Sequence, residues 1–92
     1  MKEYKIAMKD GTFQIIKGRP VKINQVNNYE FAYYKDPGLY RAQYCVFEVT
    51  SGKEVCRAPK LREARMDAGF LLTINRYRLD DLIGSGTQTT LF

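Results

Sequence analysis

The chain has 92 residues and a mass of 10.7 kDa, enough for one domain with a small core. Fifteen Lys and Arg oppose ten Asp and Glu, giving +5 and a pI near 9.3. Histidine is absent, which excludes a Ser-His-Asp triad, a Cys-His pair and any histidine metal ligand. No apolar run approaches the roughly 18 residues of a membrane-spanning helix, and Met1–Ile6 carries no signal-peptide apolar region. These features predict a cytoplasmic protein without a membrane partner.

The first predicted element is a hairpin. Tyr4–Met8 leads into Asp10-Gly11 and out along Phe13–Lys17. Asp-Gly favours a tight type I′ turn, which would pair Met8 with Phe13 and Ile6 with Ile15 on one face. Gly18-Arg19-Pro20 then breaks the chain, and Val21–Val26 alternates weakly enough for a short edge strand. A second hairpin follows. Tyr29, Phe31 and Tyr33 share one side of its first strand, and Asp36-Pro37-Gly38 supplies the turn. Because L-Pro-Gly in a two-residue loop would splay the strands, the loop should be longer. Leu39–Val49 reads as a long strand that is central or bulged, since both sides end apolar. Thr50–Lys53 turns the chain and Glu54–Arg57 returns. Cys45 and Cys56 would lie on adjacent strands, and on one face they could form a disulfide; without a C-x-x-C pair they suggest no metal.

Pro59 opens a helix. Leu61, Ala64, Ala68, Leu71 and Leu72 fall at i, i+3, i+7, i+10 and i+11, a stripe for packing on a sheet, which Leu79 and Leu82 extend. Asn75 interrupts that stripe and marks a kink or an end. Met66, Phe70, Ile74 and Tyr77 form a second apolar stripe opposite, which the protein's own chain, a second subunit or a partner should cover. The chain's own tail, with Leu91 and Phe92, is the simplest cover. Residues 84–90 read as flexible, so residues 1–83 are expected to be the domain and 84–92 a C-terminal tail. Together the elements predict an α+β fold: four to five antiparallel strands, then one main C-terminal helix on one face.

Chemistry for catalysis is sparse. The carboxylates are scattered, the adjacent pair Asp80-Asp81 points apart on a helix, and no phosphate-cradling or nucleophile-elbow motif occurs. The expectation is a binding protein, not an enzyme, with no cofactor and no metal.

Positive charge is concentrated in residues 1–22, with six cations against two acids, and in 52–65, with five against two. Such clustering suits a polyanion, and equally a plain solvated surface. A simple register places Tyr34 opposite Arg41 and Ala32 opposite Gln43. Tyr34, Arg41, Gln43 and Glu30 would then form a solvent-facing side able to stack bases or bind a protein. Lys53, Arg57, Lys60, Arg62 and Arg65 surround the helix entry and could contact phosphates. Cations there oppose the helix dipole, a local cost that suggests another purpose.

The segment from Tyr40 to Leu72, with Val46, Ser51-Gly52-Lys53, Val55, Ala58, Leu61-Arg62-Glu63-Ala64-Arg65 and Ala68, resembles small phage and prophage proteins of Gram-positive bacteria, most of unknown function. It is also similar to the ends of double-stranded RNA-binding domains and to the three-stranded, helix-backed DNA-binding domains of some phage integrases. The double-stranded RNA fold begins with a helix, whereas this chain begins with a hairpin. The resemblance implies nucleic-acid contact through Lys60, Arg62 and Arg65, or through Arg41 and Gln43. The alternative is a protein-binding inhibitor or adaptor, for example of a host defence nuclease, using the Tyr-rich sheet face or the Met66-Phe70-Ile74-Tyr77 stripe. A homodimer through that stripe is a third option.

Overall fold

The computed structural model describes residues 1–86 and 88–92. Five strands, β1 (Lys2–Ala7), β2 (Phe13–Val21), β3 (Phe31–Asp36), β4 (Gln43–Glu48) and β5 (Glu54–Ala58), form an antiparallel sheet in chain order. Helix α1 (Leu61–Ile74), a 3₁₀ turn (Arg76–Arg78) and α2 (Leu79–Gly84) follow. This is the expected α+β arrangement of five strands and one main C-terminal helix.

The first hairpin departs from the expected register. Its loop runs from Met8 to Thr12, closed by Met8 N–H to the Thr12 carbonyl at 2.9 Å and Gly11 N–H to the Met8 carbonyl at 3.1 Å. A type I′ turn needs two left-handed residues, but only Gly11 adopts that region (φ 85°). The Asp10 carboxylate instead accepts the Thr12 N–H at 2.9 Å and the Thr12 hydroxyl at 2.5 Å, which widens the loop. Ala7 therefore pairs with Phe13 and Ile6 with Gln14, a slip of one residue that reverses faces. Tyr4, Ile6 and Ile16 turn toward the body, while Phe13 and Ile15 face solvent.

β2 serves two partners in succession. Residues 13–18 pair with β1, and Arg19–Val21 pair with β3. The split lets the hairpin lie over one face of the sheet. The Ala7 N–H donates to the Gly52 carbonyl at 2.9 Å, and the Tyr4 ring meets Phe47 edge-on at 5.4 Å. The side bearing Tyr34 is thus covered, not solvent-facing: Ala32, Cys45 and Phe47 beneath the hairpin are buried.

The β3–β4 register also moves. Tyr34 lies opposite Cys45 and Ala32 opposite Phe47, because the connection is a six-residue loop, Pro37–Ala42. The Gly38 N–H bonds the Asp36 carboxylate at 3.1 Å at its start. The slip from Arg41 to Cys45 is an even number of residues, so the faces survive. Phe31, Tyr33, Tyr44 and Val46 still point at the helix side. β4 is both central and irregular, with a register shift between Val46 and Phe47 against β5. Beyond Val21 no edge strand forms; Ile23 and Val26 enter the core through a turn.

Ala64, Ala68 and Leu72 are the buried stripe of α1 over β4 and β5, with Leu61 and Leu71 half-buried beside them. Two alanines let the helix approach the sheet closely, and Leu79 continues the core. Asn75 ends α1 as expected; its side-chain amide donates to the Leu71 carbonyl at 2.9 Å. The last residues, expected as a flexible tail whose Leu91 and Phe92 cover the second helix stripe, dock beside β5 instead. Thr87 of that segment lies outside the described residues. Glu54 N–H bonds the Thr89 carbonyl and Leu91 N–H bonds the Glu54 carbonyl, both at 2.9 Å, beside β5. Leu91 is buried in the core.

Cys45 and Cys56 do sit on adjacent strands, but on opposite faces. Cys45 pairs with Arg57, and Cys56 pairs with Val46 on the helix side. Both thiols are free, and the Cys56 thiol donates to the Ala64 carbonyl at 3.2 Å.

Candidate nucleic-acid interface

The residues expected to bind nucleic acid separate into four places. Lys60, Arg62 and Arg65 stay together at the start of α1. Lys60 takes the N-cap position in extended conformation and makes no side-chain cap. The β2–β3 connection lies against the same end of the helix. Its Gln25 side chain packs on Gly69, where a Cβ would come 3.1 Å from the Gln25 amide nitrogen. This contact brings Lys22 alongside the helix. Lys22, Asn24, Gln25, Arg62, Arg65 and Met66 line an open groove of about 530 Å³. Among the described residues, Lys22, Lys60, Arg62 and Arg65 form no ion pair. Glu63 in the first turn of α1 offsets part of the helix's positive end, and the groove's cations, Lys22, Arg62 and Arg65, still leave its lining positive.

Lys53 is withdrawn from this surface. It is 4% exposed, and its Nζ donates to the carbonyls of Leu82 at 3.0 Å and Ser85 at 2.6 Å. A cation at the C-terminal end of α2 satisfies carbonyls that the helix leaves unpaired. The sequence offered Lys53 as a surface charge because lysine is rarely buried.

Arg57 lies on the opposite side of the sheet, with Tyr34. Together with Asp36, Phe47, Glu54 and Asp10 they line a cleft of about 610 Å³ between the hairpin and the sheet. The Arg57 Nε donates to both Glu54 oxygens (3.1 and 3.2 Å), and its Nη1 donates to Asp36 at 3.2 Å. These bonds, Glu54's above all, raise its pKa further above the usual arginine value. The guanidinium is therefore committed internally, and three acids (Asp10, Asp36, Glu54) face two cations, Lys9 and Arg57, in the cleft lining. Such a lining repels phosphate. Burial pushes the Tyr34 hydroxyl pKa upward as well. Gln43 sits opposite Asp36 at the strand end, and Arg41 is exposed in the β3–β4 loop. Tyr34, Arg41 and Gln43 thus do not form the open face expected of them.

Lys22 is the contributor that sequence reasoning missed. It belonged to the basic N-terminal run, but only the path of the β2–β3 connection places it beside Arg62 and Arg65.

The second stripe is uncovered. Met66, Phe70, Ile74 and Tyr77 are 66, 64, 50 and 85% exposed. The chain's own end, expected as the simplest cover, goes elsewhere, because Leu91 is drawn into the core beside β5.

Among the described residues, no three Cys, Asp or Glu gather as metal ligands, and no helix is long and apolar enough to cross a membrane. The thiols offer little nucleophilic chemistry. Burial pushes Cys45 from the ordinary 9.0 up to about 11 and Cys56 up to about 12. In the unfolded chain both ionise earlier. Their contribution to stability is therefore intact below pH 9.0 and is lost as pH rises toward 11 and 12. A thiol reagent at neutral pH should modify the native chain far more slowly than the denatured one. The denaturation midpoint should fall as pH climbs past 9.0. Equal labelling rates in both states would contradict this burial.

No family model matches the sequence, and no curated protein or solved structure matches it.

Proposed function

We propose that this chain is a small, non-enzymatic nucleic-acid-binding protein, of the phage or mobile-element kind that its strand–turn–strand–helix segment resembles. It engages phosphates through Lys22, Arg62 and Arg65, with Lys60 beside them. The observation that carries this reading is the convergence of unpaired cations from two separate elements on one groove. Among the described residues no acid forms an ion pair with them, and three sit on a helix start where their mutual repulsion and the dipole oppose them. A bound polyanion relieves both costs. The inhibitor or adaptor reading keeps only one of its two surfaces, the helix stripe, because the hairpin covers the Tyr34 side of the sheet.

The test is a fluorescence-anisotropy titration of a labelled duplex and a labelled single strand over a range of salt. Affinity should fall steeply as salt rises, through counterion release. The double variant Arg62→Ala/Arg65→Ala should weaken binding to all sequences alike and reduce the log–log salt slope by about 2. Arg41→Ala should leave both quantities unchanged. Absence of binding at low salt, or a slope indifferent to the double variant, would end this reading.

A further inference from the structure

The outer face of α1 meets the cationic groove only at Met66, and its apolar character calls for a different occupant. We propose that it is seated against a second copy of this chain, the two α1 helices crossing antiparallel about a two-fold axis.

Three observations carry this. The first is area. Taking roughly 150–250 Å² for a large side chain, Met66, Phe70, Ile74 and Tyr77 at their observed exposures leave on the order of 400–650 Å² open per copy. Two copies would hide about 800–1,300 Å² from these side chains alone, a range that reaches the roughly 1,000 Å² a biological interface should clear. The second is shape. Met66, Phe70 and Ile74 recur every four residues along α1, with Tyr77 in the 3₁₀ turn beyond it, and such a line is complementary to its own reverse, as a two-fold interface requires. Turned end for end, Met66 of one copy meets Ile74 of the other, and Phe70 meets Phe70.

The third is charge. Glu63 and Asp67 border the stripe near the start of α1, and Arg76 and Arg78 follow its end; all are exposed, and none is ion-paired among the described residues. An antiparallel crossing sets Glu63 of one copy beside the Arg76–Arg78 turn of the other. It also keeps the two Lys60-Arg62-Arg65 groups at opposite ends, where a parallel pairing would press them together.

Sedimentation equilibrium of the full chain, from micromolar to millimolar concentration, tests the proposal. The weight-average mass should rise from 10.7 kDa toward twice that value. Phe70→Asp replaces an exposed side chain, so its circular dichroism should match the wild type while dimerisation weakens about 30-fold or more. Glu63→Arg should weaken association about two- to fivefold, and adding Arg76→Glu and Arg78→Glu should restore it. A mass of 10.7 kDa at every concentration overturns the proposal, as does a dimer that survives Phe70→Asp. Association only with lipid vesicles or with an acidic protein overturns it too. None of these results depends on nucleic-acid binding.

Discussion

Phe47→Ala is expected to cost about 3–5 kcal/mol of stability, more than any substitution on the surface. Phe47 is 1% exposed, yet it lies on the side of the sheet away from the main helix. What buries it is the N-terminal hairpin. The Tyr4 ring packs edge-on against it at 5.4 Å and 76°, and Tyr34 leans on it at 5.9 Å and 59°. Removing the ring leaves a void that neither side can fill, since the hairpin's reach is limited by its shared strand β2. In a chain this short, each kcal/mol is worth about 4–8 °C of Tm, so the melting shift should be large and easily read by calorimetry. Tyr4→Ala should cost less, because Tyr4 is only half-buried, and the double mutant should fall short of the sum. A loss below about 1 kcal/mol for Phe47→Ala would mean that the hairpin is held by its backbone contacts alone.

Gly52→Ala attacks those backbone contacts directly. Gly52 is left-handed at φ 70°, a conformation that costs an L-residue about 1–2 kcal/mol. An alanine Cβ would also lie 2.6 Å from the Lys5 carbonyl oxygen and 2.9 Å from the Ala7 nitrogen. Both are main-chain atoms of β1, so no rotamer change relieves the contact. β1 must retreat, breaking the Ala7–Gly52 hydrogen bond and loosening Tyr4 from Phe47. A total of about 3 kcal/mol or more is expected. The damage should be local: amide exchange should quicken in β1 while β4 amides, flanked by strands on both sides, keep their protection. Uniform loss of protection across the sheet would refute this separation.

The parts legible in the sequence are those where one side-chain period repeats. The Leu61–Leu72 stripe marked α1 and its buried face, Asn75 marked its end, and alternation in Tyr29–Tyr33 assigned a face that a slip in register did not disturb. The first hairpin was misread because Asp-Gly usually supplies both turn residues, whereas here the Asp10 side chain is occupied with Thr12. The fold of that hairpin across the sheet had no local signal, since it arises from β2 changing partner after Gly18. The same limit applies to the candidate interface. Charge at the start of α1 was visible as Lys60, Arg62 and Arg65, but charge alone could not tell which neighbours join them. Lys22 arrives through a turn, Lys53 leaves for the interior, and Arg57 is taken by Glu54 and Asp36.

Lys53 also bears on how the C-terminal end of the fold can come apart. Its ammonium holds the Leu82 carbonyl of the six-residue α2 and the Ser85 carbonyl just past its end, and a helix that short does not persist alone. If that helix frays by a single turn, a desolvated charge loses both its acceptors in one event, together with the bond from the Ser85 hydroxyl to the Leu82 carbonyl. Intermediate degrees of unwinding are therefore penalised. The segment should behave as a latch with two positions, shut or fully released, rather than as an end that unravels gradually.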